Sequence, residues 1–471
     1  VSVIELLAAS RAKRALEAGT KGARLDRIQR NAARAALSNP HAPGNYSGSG
    51  TFINRGTTAP AEAPNIYSFS AANLGPFEVV GGRLNPGLNT IVSATTDAGG
   101  SATYSYGRVS VMANSRYFAW AVANGSLPYR PLVNDRYVDR VGLIASGGTS
   151  YLFFDGGTRD IRKFTIETQL SGMVVANARV EAQGTLFPVD DADSVYGAYL
   201  LDSYAQGAIL PRGDALPVVV GDLLGIKMLS SGLGGTGWFH PNQAVVGFKE
   251  RIGFGDLGLG YKRPDVIFLG GTVNDSASDP ATIQANALTG LRLARAQFPD
   301  VPIIMFGVHA APGKILTGSP SLTAAENAVR DAVIAFNDPL TRFVPMIGDT
   351  TTPWYTGNGS ELVFTGSLAS AATSGTLAFA WTGGTGPWNV IFSNGDLRTV
   401  TLTNGATTAT WTGGLSGTAT ATAGAYLSQN GTTVWAYQYD RIHLTFDGVM
   451  QAAQRQAAAT LAALQDMLGA G

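Results

Sequence analysis

The chain has 471 residues and balances 33 Lys plus Arg against 33 Asp plus Glu, so its formal net charge is zero and no general attraction to nucleic acid or an anionic membrane is expected. Cysteine is absent, and the four histidines show no H-E-x-x-H spacing, which argues against disulfides, thiolate metal sites and a zinc hydrolase. The length calls for about two to four domains, and a charged fraction of 14% with 59 glycines suits exported or virion β-structure better than a cytosolic enzyme.

Residues 1–39 carry Ile4, Leu7, Leu16, Leu25, Ile28, Ala32 and Ala36 at helical spacing, interleaved with basic residues from Arg11 to Arg34. One or two amphipathic helices are predicted, broken near Gly19-Thr20 and stopped by Asn39-Pro40, with an apolar seam for the same chain or for a partner subunit. Residues 40–63 are polar and rich in Gly, Pro and Asn, and read as a linker. Across 64–187, short alternating runs such as Phe77–Val80, Thr90–Val92, Ala102–Tyr106, Tyr117–Val122, Tyr151–Phe154 and Ile161–Glu167 predict a β-sandwich. From 188 to 360, strand and helix signals alternate as a parallel sheet requires, with strands at Val195–Leu201, Asp265–Phe268, Val301–Val308 and Arg342–Ile347 and helices near Pro280–Gln297 and Leu322–Phe336. Residues 361–427 are again Thr/Gly/Ala-rich and alternating, with hairpin-type turns at Ser393–Asp396 and Thr403–Ala406, so a small β-domain is inserted there. The amphipathic run Phe446–Leu468 closes the last portion, 428–471. No apolar run reaches the roughly 18 residues of a membrane span. Residues Val1 to Glu5 lack the basic and apolar regions of a signal peptide, so export is expected after loss of a leader or through virion assembly.

Two distant stretches carry chemistry. Leu201-Asp202-Ser203-Tyr204-Ala205-Gln206-Gly207 follows a buried strand, so the Ser203 hydroxyl emerges at the strand's carboxyl end, where open α/β sheets bind ligands. Asp440-Arg441-Ile442-His443 places a carboxylate and an imidazole three apart before the last helix, and a serine needs such a base and orienter. Between them, Ser231–Trp238 is glycine-rich and Gly270-Gly271-Thr272-Val273-Asn274-Asp275 follows a strand, offering a glycine N–H and an Asn amide to a developing oxyanion. Taken singly, each motif also has a plain structural reading: Asp-Ser as a turn or N-cap, the glycines as a loop, Asn274-Asp275 as a cap, Asp440 and His443 as a surface pair.

In this order the four motifs resemble the SGNH (GDSL-type) serine hydrolases, over roughly 190–360 and 430–471. The chain differs in having Leu201 where glycine is usual and Thr272-Val273 between Gly271 and Asn274. The resemblance implies a three-layer α/β/α domain in which Ser203 is the nucleophile, His443 the base and Asp440 its orienter. The N–H groups of Ser203 and Gly235 with the Asn274 side chain would form the oxyanion hole, and no metal or organic cofactor would be needed. Tyr204, Trp238, Thr272 and Trp354 are the expected substrate contacts, although the aromatics suit a core equally well. Together with the insert, which resembles bacteriophage tail modules, the chain resembles phage tail-associated polysaccharide deacetylases. That implies removal of short acyl groups from a bacterial surface polysaccharide by a virion or extracellular protein, as a homo-oligomer such as a trimer, with residues 1–39 available to other virion proteins. The rival expectation is a non-catalytic glycan-binding or structural component on the same scaffold.

Overall fold

The computed structural model describes residues 21–38, 51–68, 74–85, 90–93, 106–123, 128–140, 142–144, 148–168, 174–206, 212–239, 246–258, 263–309, 318–347, 359–427 except 383 and 395, and 442–469, with isolated residues between them. The fold is α/β: a central parallel sheet flanked by helices, with accessory antiparallel sheets. Five strands, β1 (Val195–Leu201), β2 (Ile226–Gly232), β3 (Val266–Gly270), β4 (Ile303–Phe306) and β5 (Thr341–Val344), form the central sheet in the order β2-β1-β3-β4-β5, all parallel. β3 and β4 are buried at every position, as a sheet covered on both faces demands.

The long helices are α1 (Lys21–Ser38), α2 (Leu216–Leu224), α3 (Pro280–Gln297), α4 (Leu322–Phe336) and α5 (Phe446–Leu468). Step direction sets their faces. β1 to β2 moves one way across the sheet while β3 to β4 and β4 to β5 move the other, so right-handed crossovers put α2 on one face and α3 and α4 on the opposite one. α1 and α5 pack beside α2. The helix starts were readable because they are capped: Asp279 accepts N–H bonds from Ala281 and Thr282, Ser321 from Ala324 and Thr445 from Gly448.

Helix α1 belongs to this domain instead of standing apart. Leu25 and Ile28 are buried in its core, Asn31 donates to the Asp193 carbonyl at 2.7 Å, and Gln29 meets Gln465 of α5 at 2.9 Å. The seam, read as packing on the same chain or on a partner subunit, packs within 21–38 on the chain itself; residues 1–20 lie outside the described residues.

The N-terminal β-region is one antiparallel sheet folded over on itself. Its two long strands, Gly107–Ala123 and Thr149–Thr168, pair along their whole length with a bulge between Ser115 and Tyr117. Phe118, on one side of the bulge, stacks at 4.0 Å on Phe164, which pairs with the other side, so the two halves face each other across a common core. The stretch read as a linker contributes to this sheet. Phe52–Asn54 pairs with Leu152–Phe154, and Phe52 is buried.

The insert has its own core, including Phe364, Trp381, Trp388, Phe392 and Trp411. Its first strand, Gly359–Val363, pairs antiparallel with its last, Thr422–Leu427, so the chain leaves and returns side by side.

Candidate active site

The order β2-β1-β3 makes β1 the point from which connections run both ways, and Ser203 stands two residues past its end. Asp202 is fully buried and its Oδ1 accepts the Tyr204 N–H at 3.0 Å, capping the single turn Ser203–Gln206. The Asp-Ser pair is therefore a helix cap, and that cap leaves the Ser203 hydroxyl facing outward. Leu201 fits in place of the usual glycine because Gly270 of β3 lies against it: a Cβ at Gly270 would fall 2.2 Å from Leu201 Cδ1.

His443 lies two residues before the Thr445 cap of α5, and its Nε2 is 2.9 Å from Ser203 Oγ across 240 residues of sequence. Both side chains are partly exposed, open to a substrate. Tyr204 holds this loop from below. Its hydroxyl donates to the Ile442 carbonyl at 2.5 Å, and its ring stacks on His309 at 5.0 Å and tilts against His443 at 6.0 Å. Burial pushes the His309 imidazole down to about 4, so it is neutral at pH 7. Asp440 and Trp354 lie outside the described residues.

Gly235 stands at the third position of the turn Leu233–Thr236, with φ +75, the left-handed value that a type II turn reserves for glycine. It is exposed, and a Cβ placed there would meet open space. Asn274 is engaged. Its amide donates to Asp202 Oδ2 at 3.2 Å and to the Thr236 carbonyl at 2.9 Å, so both amide hydrogens have internal acceptors. The extra residue before it has a local purpose: Thr272 caps the 3₁₀ turn Val273–Ala277, accepting the Asn274 N–H at 3.1 Å, while its hydroxyl donates to Asp202. Asp202 thereby joins the nucleophile turn to the Asn274 turn. Its burial raises its pKa, opposed mainly by the Thr272 hydroxyl.

Three of the expected substrate contacts are buried. Trp238 is 1% exposed, donates through its ring nitrogen to the Gly270 carbonyl at 3.1 Å and packs edge-on against Phe248 at 5.2 Å. Thr272 and Tyr204 are buried too. These three are core and positioning residues, because their polar atoms find partners inside the protein. Asp275, buried beneath Trp238, accepts the Trp238 and Phe239 N–H groups at 2.9 and 3.1 Å, and burial raises its carboxyl to about 7.

Sequence reasoning missed Arg251. It is fully buried and donates to the Leu201 carbonyl at 3.0 Å, Thr236 Oγ1 at 3.2 Å, Ser231 Oγ at 2.7 Å and Asp256 Oδ2 at 3.0 Å. Leu201, Ser231 and Thr236 of the motifs are its partners, but only the fold brings it to them. Among the described residues no group of three or more His, Asp or Glu is placed to hold a metal ion, and no helix is long and apolar enough to cross a membrane.

No family model and no curated protein matches the chain. Among solved structures it is similar to a salicylyl-acyltransferase from a tetracycline biosynthetic pathway, at 14% identity over 60% of this chain and 86% of that one, TM-score 0.46. It is likewise similar to a family two carbohydrate esterase from Cellvibrio japonicus, at 14% identity over 61% and 92%, TM-score 0.46. A third likeness is to an acetyl xylan esterase from the rumen bacterium Butyrivibrio proteoclasticus, at 12% identity over 63% and 89%, TM-score 0.40.

Proposed function

We propose that the chain is a serine esterase of the SGNH type that removes O-acetyl or other short acyl groups from a bacterial surface polysaccharide, as a phage tail or extracellular protein. The observation that carries the catalytic part is the 2.9 Å hydrogen bond between His443 Nε2 and Ser203 Oγ at the carboxyl end of the central strand. A partly exposed serine hydroxyl bonded to an imidazole is an activated nucleophile.

Ser203 Oγ attacks the ester carbonyl carbon and its proton passes to His443 Nε2. The C–O bond to the alcohol breaks as His443 returns that proton to the leaving oxygen, and water, deprotonated by His443, then releases the acid from the acyl-enzyme. Asp440 is the proposed orienter of the ring. The N–H groups of Ser203 and Gly235 are the proposed oxyanion donors, joined by Asn274 once its amide exchanges an internal acceptor for the oxyanion. The low-charge, Gly/Thr/Ser/Ala-rich composition and the self-contained insert support the virion or extracellular setting.

The engaged Asn274 amide favours a second reading, a scaffold that binds glycan without turning it over. Hydrolysis of an activated acetate ester by the full chain, run beside Ser203→Ala, decides between them: turnover lost in the variant supports the esterase, and no turnover by the wild type supports the binding scaffold.

A further inference from the structure

The group that joins the nucleophile to the oxyanion turn is buried and lies outside every motif. Arg251 sits on the short helix Phe248–Gly253 and spends its guanidinium on three separate segments. Nη1 bridges the carbonyl of Leu201, two residues before the nucleophile, and the hydroxyl of Thr236, the residue after Gly235. Nη2 holds Ser231 at the end of β2, and Nε is fixed by Asp256, whose own N–H returns to the Arg251 carbonyl at 3.1 Å. Side chains of Arg251 and Asp256 are both fully buried, so this fork is dry and has one geometry.

From this we infer that Arg251 is a positioning residue, which sets the Gly235 turn against the Ser203 turn so that the oxyanion donors are in place before substrate arrives; the inference rests on the esterase reading. Glycine-rich turns wander unless held, and the one at Gly234-Gly235 is exposed. Thr236 is its held end. The Thr236 hydroxyl accepts from Arg251 and donates to the Leu233 carbonyl at 2.6 Å, so one side chain closes the turn and pins it. Lysine cannot replace this arrangement, because a single ammonium does not reproduce a planar fork. Donors that are already aimed stabilise the transition state without stabilising the ester ground state, so their loosening should appear in kcat and not in KM.

The test uses the full chain and its hydrolysis of 4-nitrophenyl acetate, with Arg251→Lys, Thr236→Val and Ser203→Ala compared to wild type and each variant's thermal midpoint recorded. Arg251→Lys should lower kcat by about 10- to 100-fold, short of or equal to the loss of one oxyanion donor, with KM within about twofold. The inhibition constant of an alkylboronic acid, which forms a tetrahedral adduct on the serine, should rise by the same factor as kcat falls. Thr236→Val, which removes only the pinning hydroxyl, should move both quantities in the same direction, and it decides the matter alone if Arg251→Lys does not fold. A kcat within twofold of wild type in the folded variants, or a loss confined to KM with unchanged boronate inhibition, overturns the inference while Ser203→Ala stays inactive. A wild type inert to the ester, or an active Ser203→Ala, overturns the esterase reading itself.

Discussion

Ser203 and His443 meet because one ends a strand and the other precedes a helix cap, and their hydrogen bond is the contact most worth breaking. Ser203→Ala should reduce kcat on an acetate ester by at least about 10³-fold, since what remains is transition-state binding without a nucleophile. The thermal midpoint should not move, because the hydroxyl is partly exposed. A residual kcat within a hundredfold of wild type would remove Ser203 from the role. Asn274→Ala tests a residue with two tasks. As an oxyanion donor its loss should cost about 10²–10³ in kcat, and as a partner of buried Asp202 its loss should cost about 1–3 kcal/mol of stability. A stability loss with kcat changed less than threefold would leave catalysis to the two N–H groups. Ser203 and His443 were legible as candidates through the order of the four motifs, since each motif alone reads equally well as a turn, a cap or a surface pair. The links of Asp202 to Thr272 and Asn274, and the whole role of Arg251, were not, since a buried polar side chain is defined by partners that only the fold supplies. Trp238 and Tyr204 were misplaced for a related reason: an aromatic with a polar tip serves a core or a sugar equally well until its partner is known.

At the scale of elements, α3, α4 and α5 span the residues that their caps and apolar periodicity indicate, whereas the two long strands do not. Tyr151–Phe154 and Ile161–Glu167 read as two short strands, yet the chain continues as one 20-residue strand, because its own residues 156–159 bulge opposite Arg116 and the positive φ of Gly157 lets it bend in place. The insert's first and last strands pair, so its ends lie side by side between β5 and α5 in the chain. Of its aromatics, Trp381, Trp388 and Trp411 fill its core, whereas Phe379 is 76% exposed. Replacing residues 359–427 by a short Gly/Ser linker should leave kcat/KM on a small activated ester within about threefold, because an independent core and adjacent ends make excision local. On an acetylated polysaccharide the same deletion should lower kcat/KM further than on the small ester. Equal effects on the two substrates would show that the insert plays no part in holding a chain, and Phe379→Ser would then be silent as well.

Across the whole molecule, the folded β-sheet and the parallel-sheet domain are joined by a largely buried ionic network. Glu167 of the sheet receives Arg130 at 2.9 Å and Arg108 at 3.0 Å; Arg130 also reaches Asp214 at 2.9 Å, and Arg108 reaches Asp222 of α2 at 2.5 Å. His41 meets Asp222 at 2.9 Å, and Arg140 lies 4.1 Å over the ring of Phe446, three residues past the proposed base. Burial alone would raise the Glu167 carboxyl, but Arg130 and Arg108 together outweigh it and bring it down to about 2. The sign follows from linkage. A carboxyl whose folded pKa lies below its unfolded value of roughly 4.3 contributes stability that is fully present above that value and is lost as pH falls toward the folded one. For Glu167 that contribution is on the order of 3 kcal/mol at neutral pH. Glu167→Gln should therefore destabilise the chain by about 3–5 kcal/mol at pH 7, where buried Arg130 and partly buried Arg108 lose their shared anion. Urea unfolding of wild type and variant, followed from pH 7 to pH 2.5, checks both parts: the gap should hold steady down to about pH 4.5 and then narrow as the carboxylate of the unfolded wild type takes up its proton. A gap that stays constant over the whole range would mean that Glu167 is not held ionised by Arg108 and Arg130, and that packing alone joins the two domains.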